Sequence, residues 1–149
     1  MAGAVRVVVG LDGSPESLAA LERAVREAAR REAVLVAVST WGAPAQRSRP
    51  GAERSARRRV DESFGRLLGG YPAGLVIRPA VVRGQLAPAL VAAAGPGDLI
   101  VVGDGDGRLV RLLHASPAAY CRDRARCPVL AIRPDRRVHG PAPARVPAA

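Results

Sequence analysis

Read from its amino end, the chain alternates short apolar runs with longer stretches of helical periodicity. Val5 to Leu11 is almost unbroken β-branched or aliphatic residue, the pattern of a parallel strand covered on both faces. Asp12-Gly13 supplies a turn. Ser14 is placed to cap a helix and Pro15 to open it, where its missing N–H costs nothing. Leu18, Leu21, Val25, Ala28 and Ala29 then share one face of a helix over Pro15–Arg31. A second strand is predicted over Val34–Thr40, followed by a long loop, Trp41–Gly51, with Pro44 and Pro50. Val60, Phe64, Leu67 and Leu68 fall at helical spacing in Glu53–Leu68, which Gly69-Gly70-Tyr71-Pro72 ends. Leu75–Val82 predicts a third strand, Gln85–Ala94 a short helix and Leu99–Val102 a fourth strand. Ser116–Arg124 predicts a helix and Val129–Ile132 a fifth strand.

Alternation at this spacing argues for an α/β fold, a parallel sheet with helices on both faces and right-handed crossovers. One domain is expected over residues 1–134. Residues 135–149 are rich in Pro, Ala and Arg without periodicity and are expected to be a disordered tail. No internal repeat is visible, which speaks against a tandem arrangement.

Composition sharpens this reading. The chain has 149 residues, 48% hydrophobic and 24% charged, enough for one real core. Aromatic residues are only 3%, so that core must be Val, Leu and Ala. No apolar run approaches the roughly 20 residues that cross a bilayer, and the amino end lacks a signal-peptide layout. A cytoplasmic protein without a membrane partner is expected. Cys121 and Cys127 make neither a disulfide framework nor a zinc site, and His114 and His139 are too far apart for a metal cluster.

The net charge is +10, and every basic residue is Arg. Residues 1–46 balance to zero, residues 47–59 hold six Arg against Glu53, and residues 108–149 hold nine against Asp123 and Asp135. Such patches can attract anions. No nucleic-acid-binding motif accompanies them, and aromatics for base stacking are scarce. Specific nucleic-acid binding is not expected; a solvated basic loop and tail is.

The candidate chemistry gathers at strand ends. Asp12 follows the first strand beside a helix N-terminus, where open α/β sheets bind ligands. Gly103-Asp104-Gly105-Asp106-Gly107 follows the fourth strand directly, and glycines there let backbone N–H groups approach a phosphate. Ser116-Pro117 repeats the cap of Ser14-Pro15, so a second helix N-terminus is expected to offer a hydroxyl and free N–H groups to an anion. Carboxylates of Asp104 and Asp106 would repel a polyphosphate, unless a bound Mg²⁺ used them, together with Asp12, as ligands or Arg108 and Arg111 offset them. A Gly-Asp turn kept for geometry alone is the plainer alternative.

The run Val8-Val9-Gly10-Leu11-Asp12-Gly13-Ser14 resembles the opening of a universal stress protein domain. Later pieces match in order: Gly84 after the third strand, Asp98 to Gly103 with its Gly-rich loop, and Cys127-Pro128-Val129-Leu130. The resemblance covers roughly residues 4–133. It implies a single-domain open five-stranded sheet of order 3-2-1-4-5, Rossmann-like and similar to the adenine nucleotide α-hydrolase group, with a ligand crevice between strands one and four.

It also implies a stress-response regulatory or partner-binding module that takes an adenine nucleotide, ATP or AMP. By resemblance, Asp12 would hold ribose hydroxyls or sit by the metal–phosphate group, with Ser14 beside it. Leu11 and the strand end from Val38 to Thr40 would flank the adenine. Nucleotide-binding members carry Gly-x2-Gly-x9-Gly-Ser/Thr. Here Gly105, nine residues, Ala115 and Ser116 match the second half, with Ala in place of Gly and Pro117 following. In the first half Val102 stands where Gly is expected and Gly103 comes one residue late; Gly107 lies in the intervening loop. Two alternatives stay open: a homologue that has lost nucleotide binding and acts only as a dimeric interaction module, and a slow metal-assisted ATP hydrolase. No activated nucleophile or triad is visible. The resemblance and the apolar segment Val129–Ile132 at the sheet edge predict a homodimer through that strand; any other protein partner is unspecified. Gly84 reads as a helix-entry turn and Trp41 as packing.

Overall fold

A computed structural model describes residues 5–42, 50–105 and 116–134. The described elements run β1 (Arg6–Gly10), α1 (Pro15–Arg31), β2 (Val34–Trp41), α2 (Ala52–Leu68), β3 (Ile77–Arg83), α3 (Leu86–Ala93), β4 (Leu99–Gly103), α4 (Pro117–Arg124) and β5 (Val129–Ile132). The expected tail, residues 135–149, lies outside the described residues.

The five strands form one sheet of order β3-β2-β1-β4-β5, and every pairing is parallel. The apolar run of β1 occupies the centre, with Val7, Val8 and Val9 fully buried. Because successive side chains of a strand point to opposite faces, these valines divide between two cores. Val7 and Val9 join Leu35, Ala37, Leu99 and Val101 under α1 and α2, which contribute Ala20, Leu21, Ala24, Val60 and Phe64. Val8 joins Val36, Val38, Ile100 and Val102 under α3 and α4, which contribute Ala87, Leu90, Ala118 and Cys121. The sheet is thus sandwiched between two helix layers, as the strand/helix alternation predicts.

Local chemistry sets the element ends. Ser14 caps α1, its Oγ accepting from the Ser17 N–H at 3.1 Å, with Pro15 in the first turn. Ser116 caps α4 in the same way through the Ala119 N–H, also at 3.1 Å. These caps satisfy N–H groups that have no partner inside the helix. The third strand begins at Ile77, two residues later than the apolar pattern suggests, after a turn in which Gly74 has φ of +88°. Pro79, which cannot donate to a ladder, sits in this edge strand. Gly84 makes the turn into α3 with φ of +124° and donates its N–H to the Trp41 carbonyl at 2.8 Å.

Candidate functional site

In an open parallel sheet, neighbouring crossovers that leave in opposite directions open a crevice at the carboxyl ends of the strands. Here β1 lies between β2 and β4, so that point falls at Gly10 and Gly103. A cavity of about 230 Å³ occupies it, and its described lining is Gly10, Asp12, Ser14, Glu16, Ser17, Leu86, Val102, Gly103, Gly105, Ser116 and Pro117. Two helix N-termini, those of α1 and α4, therefore reach one hollow from different parts of the chain.

The Asp12–Ser17 segment is held by its own hydrogen bonds. Asp12 Oδ1 accepts from the Ser14 N–H at 2.9 Å and from the Ser14 hydroxyl at 2.6 Å. The Ser14 Oγ accepts in turn from Ser17 N–H, and the Ser17 hydroxyl donates to the Ser14 carbonyl at 3.0 Å. The Ser14 proton is therefore committed to Asp12. Ser116 differs: its Oγ accepts the capping N–H, which leaves the hydroxyl proton to donate elsewhere. Asp12 is exposed, and its Oδ2 accepts no hydrogen bond among the described residues.

The glycines are close-approach points. A Cβ built on Gly103 would lie 2.6 Å from the Glu16 carbonyl carbon and 2.7 Å from its oxygen, so the first turn of α1 passes directly over the end of β4. A Cβ on Gly105 would lie 2.7 Å from Glu16 Oε2. A Cβ on Gly10 would meet the Leu86 side chain at 3.0 Å.

Of the residues singled out in the sequence, Asp12, Ser14, Gly103, Gly105, Ser116 and Pro117 come together in the cavity. Leu11 and Val38, expected to flank a base, have no exposed surface: both are 0% exposed and packed into the two cores. The Leu11 N–H donates to the Val38 carbonyl at 2.8 Å, which ties the two strand ends together behind the cavity. Thr40 is half-buried and lies outside the lining; its carbonyl accepts from Arg59, whose guanidinium also donates to the Ser39 hydroxyl at 3.0 Å. Asp104, expected beside a metal, also lies outside the lining. Its carboxylate is drawn to Arg133 at 3.5 Å and Arg122 at 3.9 Å. Asp106, Gly107, Arg108, Arg111 and Ala115 lie outside the described residues. Among the described residues no group of three or more His, Cys, Asp and Glu is placed to hold a metal ion. Trp41 borders a separate hollow with Gly51, Arg54 and Arg57, with the Arg83 guanidinium over its ring at 5.5 Å.

Residues that sequence reasoning missed are Gly10, Glu16, Ser17, Leu86 and Val102. Glu16 carried a signal, an acid in the first turn of a helix, but that pattern reads as a complement to the helix dipole. Among the described lining residues the only charged side chains are Asp12 and Glu16.

Comparison with known proteins agrees with this architecture. The sequence model of the universal stress protein family matches residues 5–133. A universal stress protein of Mycobacterium tuberculosis is 36% identical over 133 residues, covering 85% of this chain and 45% of that protein. The chain spans about half the length of the curated relatives it matches. Among solved structures, the universal stress protein UspA from Lactobacillus plantarum superposes with a TM-score of 0.66 at 21% identity, over 89% of this chain and all of that one. A universal stress protein in complex with cAMP superposes with a TM-score of 0.61 at 27% identity, over 88% of this chain and 98% of that one. No helix among the described residues is long and apolar enough to cross a membrane.

Proposed function

The chain belongs to the universal stress protein family, and from that premise we propose that it binds an adenine nucleotide in the crevice between β1 and β4 and acts in the stress response by presenting that bound state to a partner. The observation that carries the reading is the convergence, in one cavity, of Asp12, Gly103, Gly105 and the Ser116-capped N-terminus of α4. These groups suit the parts of a nucleotide. The free oxygen of Asp12 is an acceptor for ribose hydroxyls. The Ser116 hydroxyl and the Ala118 N–H, the first-turn N–H of α4 that neither Pro117 nor the cap removes, are donors for a phosphate. The similar structure solved with cAMP supports an adenine nucleotide as the ligand class. The reading commits to binding: the hydroxyl–carboxylate pair in the described lining, Ser14 on Asp12, has its Ser14 Oγ engaged by the Ser17 N–H as the cap of α1.

The second reading is a dimeric module that takes no nucleotide, favoured by the two carboxylates in the lining. In either reading we propose that the homodimer forms through β5, an edge strand whose Val129, Leu130, Ala131 and Ile132 are all only half-buried. The proposed setting is the cytoplasm.

Calorimetric titration with AMP and ATP tests the nucleotide reading. Wild type is expected to bind at least one of them, and Asp12→Ala to weaken it about tenfold through loss of a charged acceptor. Absence of heat from wild type at millimolar nucleotide would refute the reading in favour of the nucleotide-free module.

A further inference from the structure

The cavity holds an anion of its own. Glu16 sits in the first turn of α1, and the packing of α1 across β1 and β4 carries it over the loop that leaves β4. Its main chain is pressed against Gly103, and its side chain lies along Gly105: a Cβ built on Gly105 would fall 2.7, 2.8 and 2.9 Å from Oε2, Cδ and Cγ of Glu16. The open face that a glycine offers, the usual reason for a glycine in a phosphate-cradling loop, is therefore covered by a carboxylate. Glu16 makes no hydrogen bond or ion pair among the described residues that would draw it elsewhere. Asp12 adds a second negative charge to the same lining, while the third nearby carboxylate, Asp104, is neutralised by Arg122 and Arg133 outside it.

We propose that Glu16 is a specificity-determining residue that sets how many phosphates the crevice accepts: seated on Gly105, its carboxylate favours a ligand with one phosphate group, such as a nucleoside monophosphate or a cyclic nucleotide, over a triphosphate. The inference rests on the nucleotide reading above and deepens it. A single phosphate has the Ser116 cap and the N-terminus of α4 to settle on. A longer phosphate chain that runs on toward Gly105 must displace Glu16 or lie against it. At contact distance in a partly exposed site, each such like-charge encounter is worth about a tenfold loss of affinity.

The test is the ratio of dissociation constants for ATP and AMP, with adenosine as a phosphate-free control, measured by calorimetry on the full chain. Wild type, Glu16→Gln and Glu16→Ala are compared, each with chelator and with Mg²⁺. Because each protein is its own reference, the ratio is insensitive to a general loss of stability. In chelator, wild type is expected to prefer AMP by about tenfold or more, and both variants to shift the ratio toward ATP by about tenfold, with adenosine affinity unchanged. Gln keeps the shape and removes the charge, so agreement of the two variants identifies charge as the cause. A wild type that binds AMP with an ATP ratio unmoved by either variant overturns the inference and leaves the nucleotide reading standing. Loss of ATP affinity in Glu16→Gln with Mg²⁺ overturns it too, because Glu16 would then be recruiting a cation. No binding of any of the three compounds to any of the three proteins overturns both the inference and the reading beneath it. Binding that appears only in the variants overturns the inference as well, because wild type would then exclude the monophosphate it is expected to prefer.

Discussion

Replacing Gly103 by Ala is expected to unseat α1 from the sheet. The added methyl would lie 2.6 Å from the Glu16 carbonyl carbon, 2.7 Å from its oxygen and 2.8 Å from its Cβ. That is roughly 0.8 Å inside ordinary van der Waals contact. Two of these three atoms are backbone, within a helix whose Ala20, Leu21, Ala24 and Ala28 are fully buried. No rotamer change relieves the contact, so the first turn of α1 or the end of β4 must move. Overpacking of this kind costs about 1–3 kcal/mol, and the rigid obstacle argues for the upper half of that range. For a chain of this size the melting temperature should fall by about 5–10 °C. Gly105→Ala is the internal control: the three nearest atoms to its methyl all belong to the side chain of Glu16, which can swing away, so the cost should stay below about 1 kcal/mol. The assay is urea unfolding followed by far-ultraviolet circular dichroism, on each glycine variant alone and combined with Glu16→Ala. Glu16→Ala should relieve Gly105→Ala and leave Gly103→Ala unrelieved. Stability of Gly103→Ala within about 0.5 kcal/mol of wild type, or its rescue by Glu16→Ala, would refute the reasoning.

Two further outcomes are expected. Asp98 is 8% exposed and accepts from the Arg6 N–H at 2.9 Å, the Gly95 N–H at 2.8 Å and the Arg6 guanidinium at 3.1 Å. Burial works to raise its pKa, but the hydrogen bonds from Gly95 and Arg6 and the Arg6 charge prevail and hold it below the usual value. A lowered folded-state pKa means that this stability is present above the ordinary carboxylate range and is lost as pH falls through the folded value. Asp98→Asn should cost about 1–2 kcal/mol at neutral pH, Arg6 being half exposed, and the gap to wild type should narrow in acid; an equal gap at about pH 3 counts against the account. The Cys121 thiol is fully buried and its pKa is pushed up to about 11 by burial, while Cys127 is half-buried and raised less. A thiol reagent at neutral pH should therefore label Cys127 slowly and Cys121 only on unfolding; prompt labelling of both in the native protein, read by peptide mass, would contradict this.

The local signals in the chain were largely readable. Ser14-Pro15 and Ser116-Pro117 announce two capped helices because a cap depends on residues within one turn of it. The valine runs announce buried strands, and Val7, Val8 and Val9 divide between the two faces as a period of two requires. Asp12, Gly103, Gly105 and Ser116 were legible as site candidates because each stands at a strand end or a helix start, the positions that line the crevice of a parallel sheet. Leu11 shows where local position stops informing orientation. It follows Gly10 at the strand end, but its side chain turns into the core beneath α1 rather than toward the cavity.

By itself, then, the sequence determined the kinds and order of the elements, the two caps and the class of sheet, because all of these follow from periodicity and short-range hydrogen bonding. Periodicity did not supply the strand order; the expected 3-2-1-4-5 came from family resemblance, and tertiary pairing alone sets β1 beside β4. That neighbourhood brings the first turn of α1 over a loop far along the chain, which is why Glu16 covers Gly105 and why Gly103 has no room for a side chain. It also lets Arg122 on α4 and Arg133 after β5 draw Asp104 out of the cavity. Contacts between residues so distant in sequence depend on which strands pair and on how closely the helices then pack, and no local pattern of hydrophobic and polar positions encodes either.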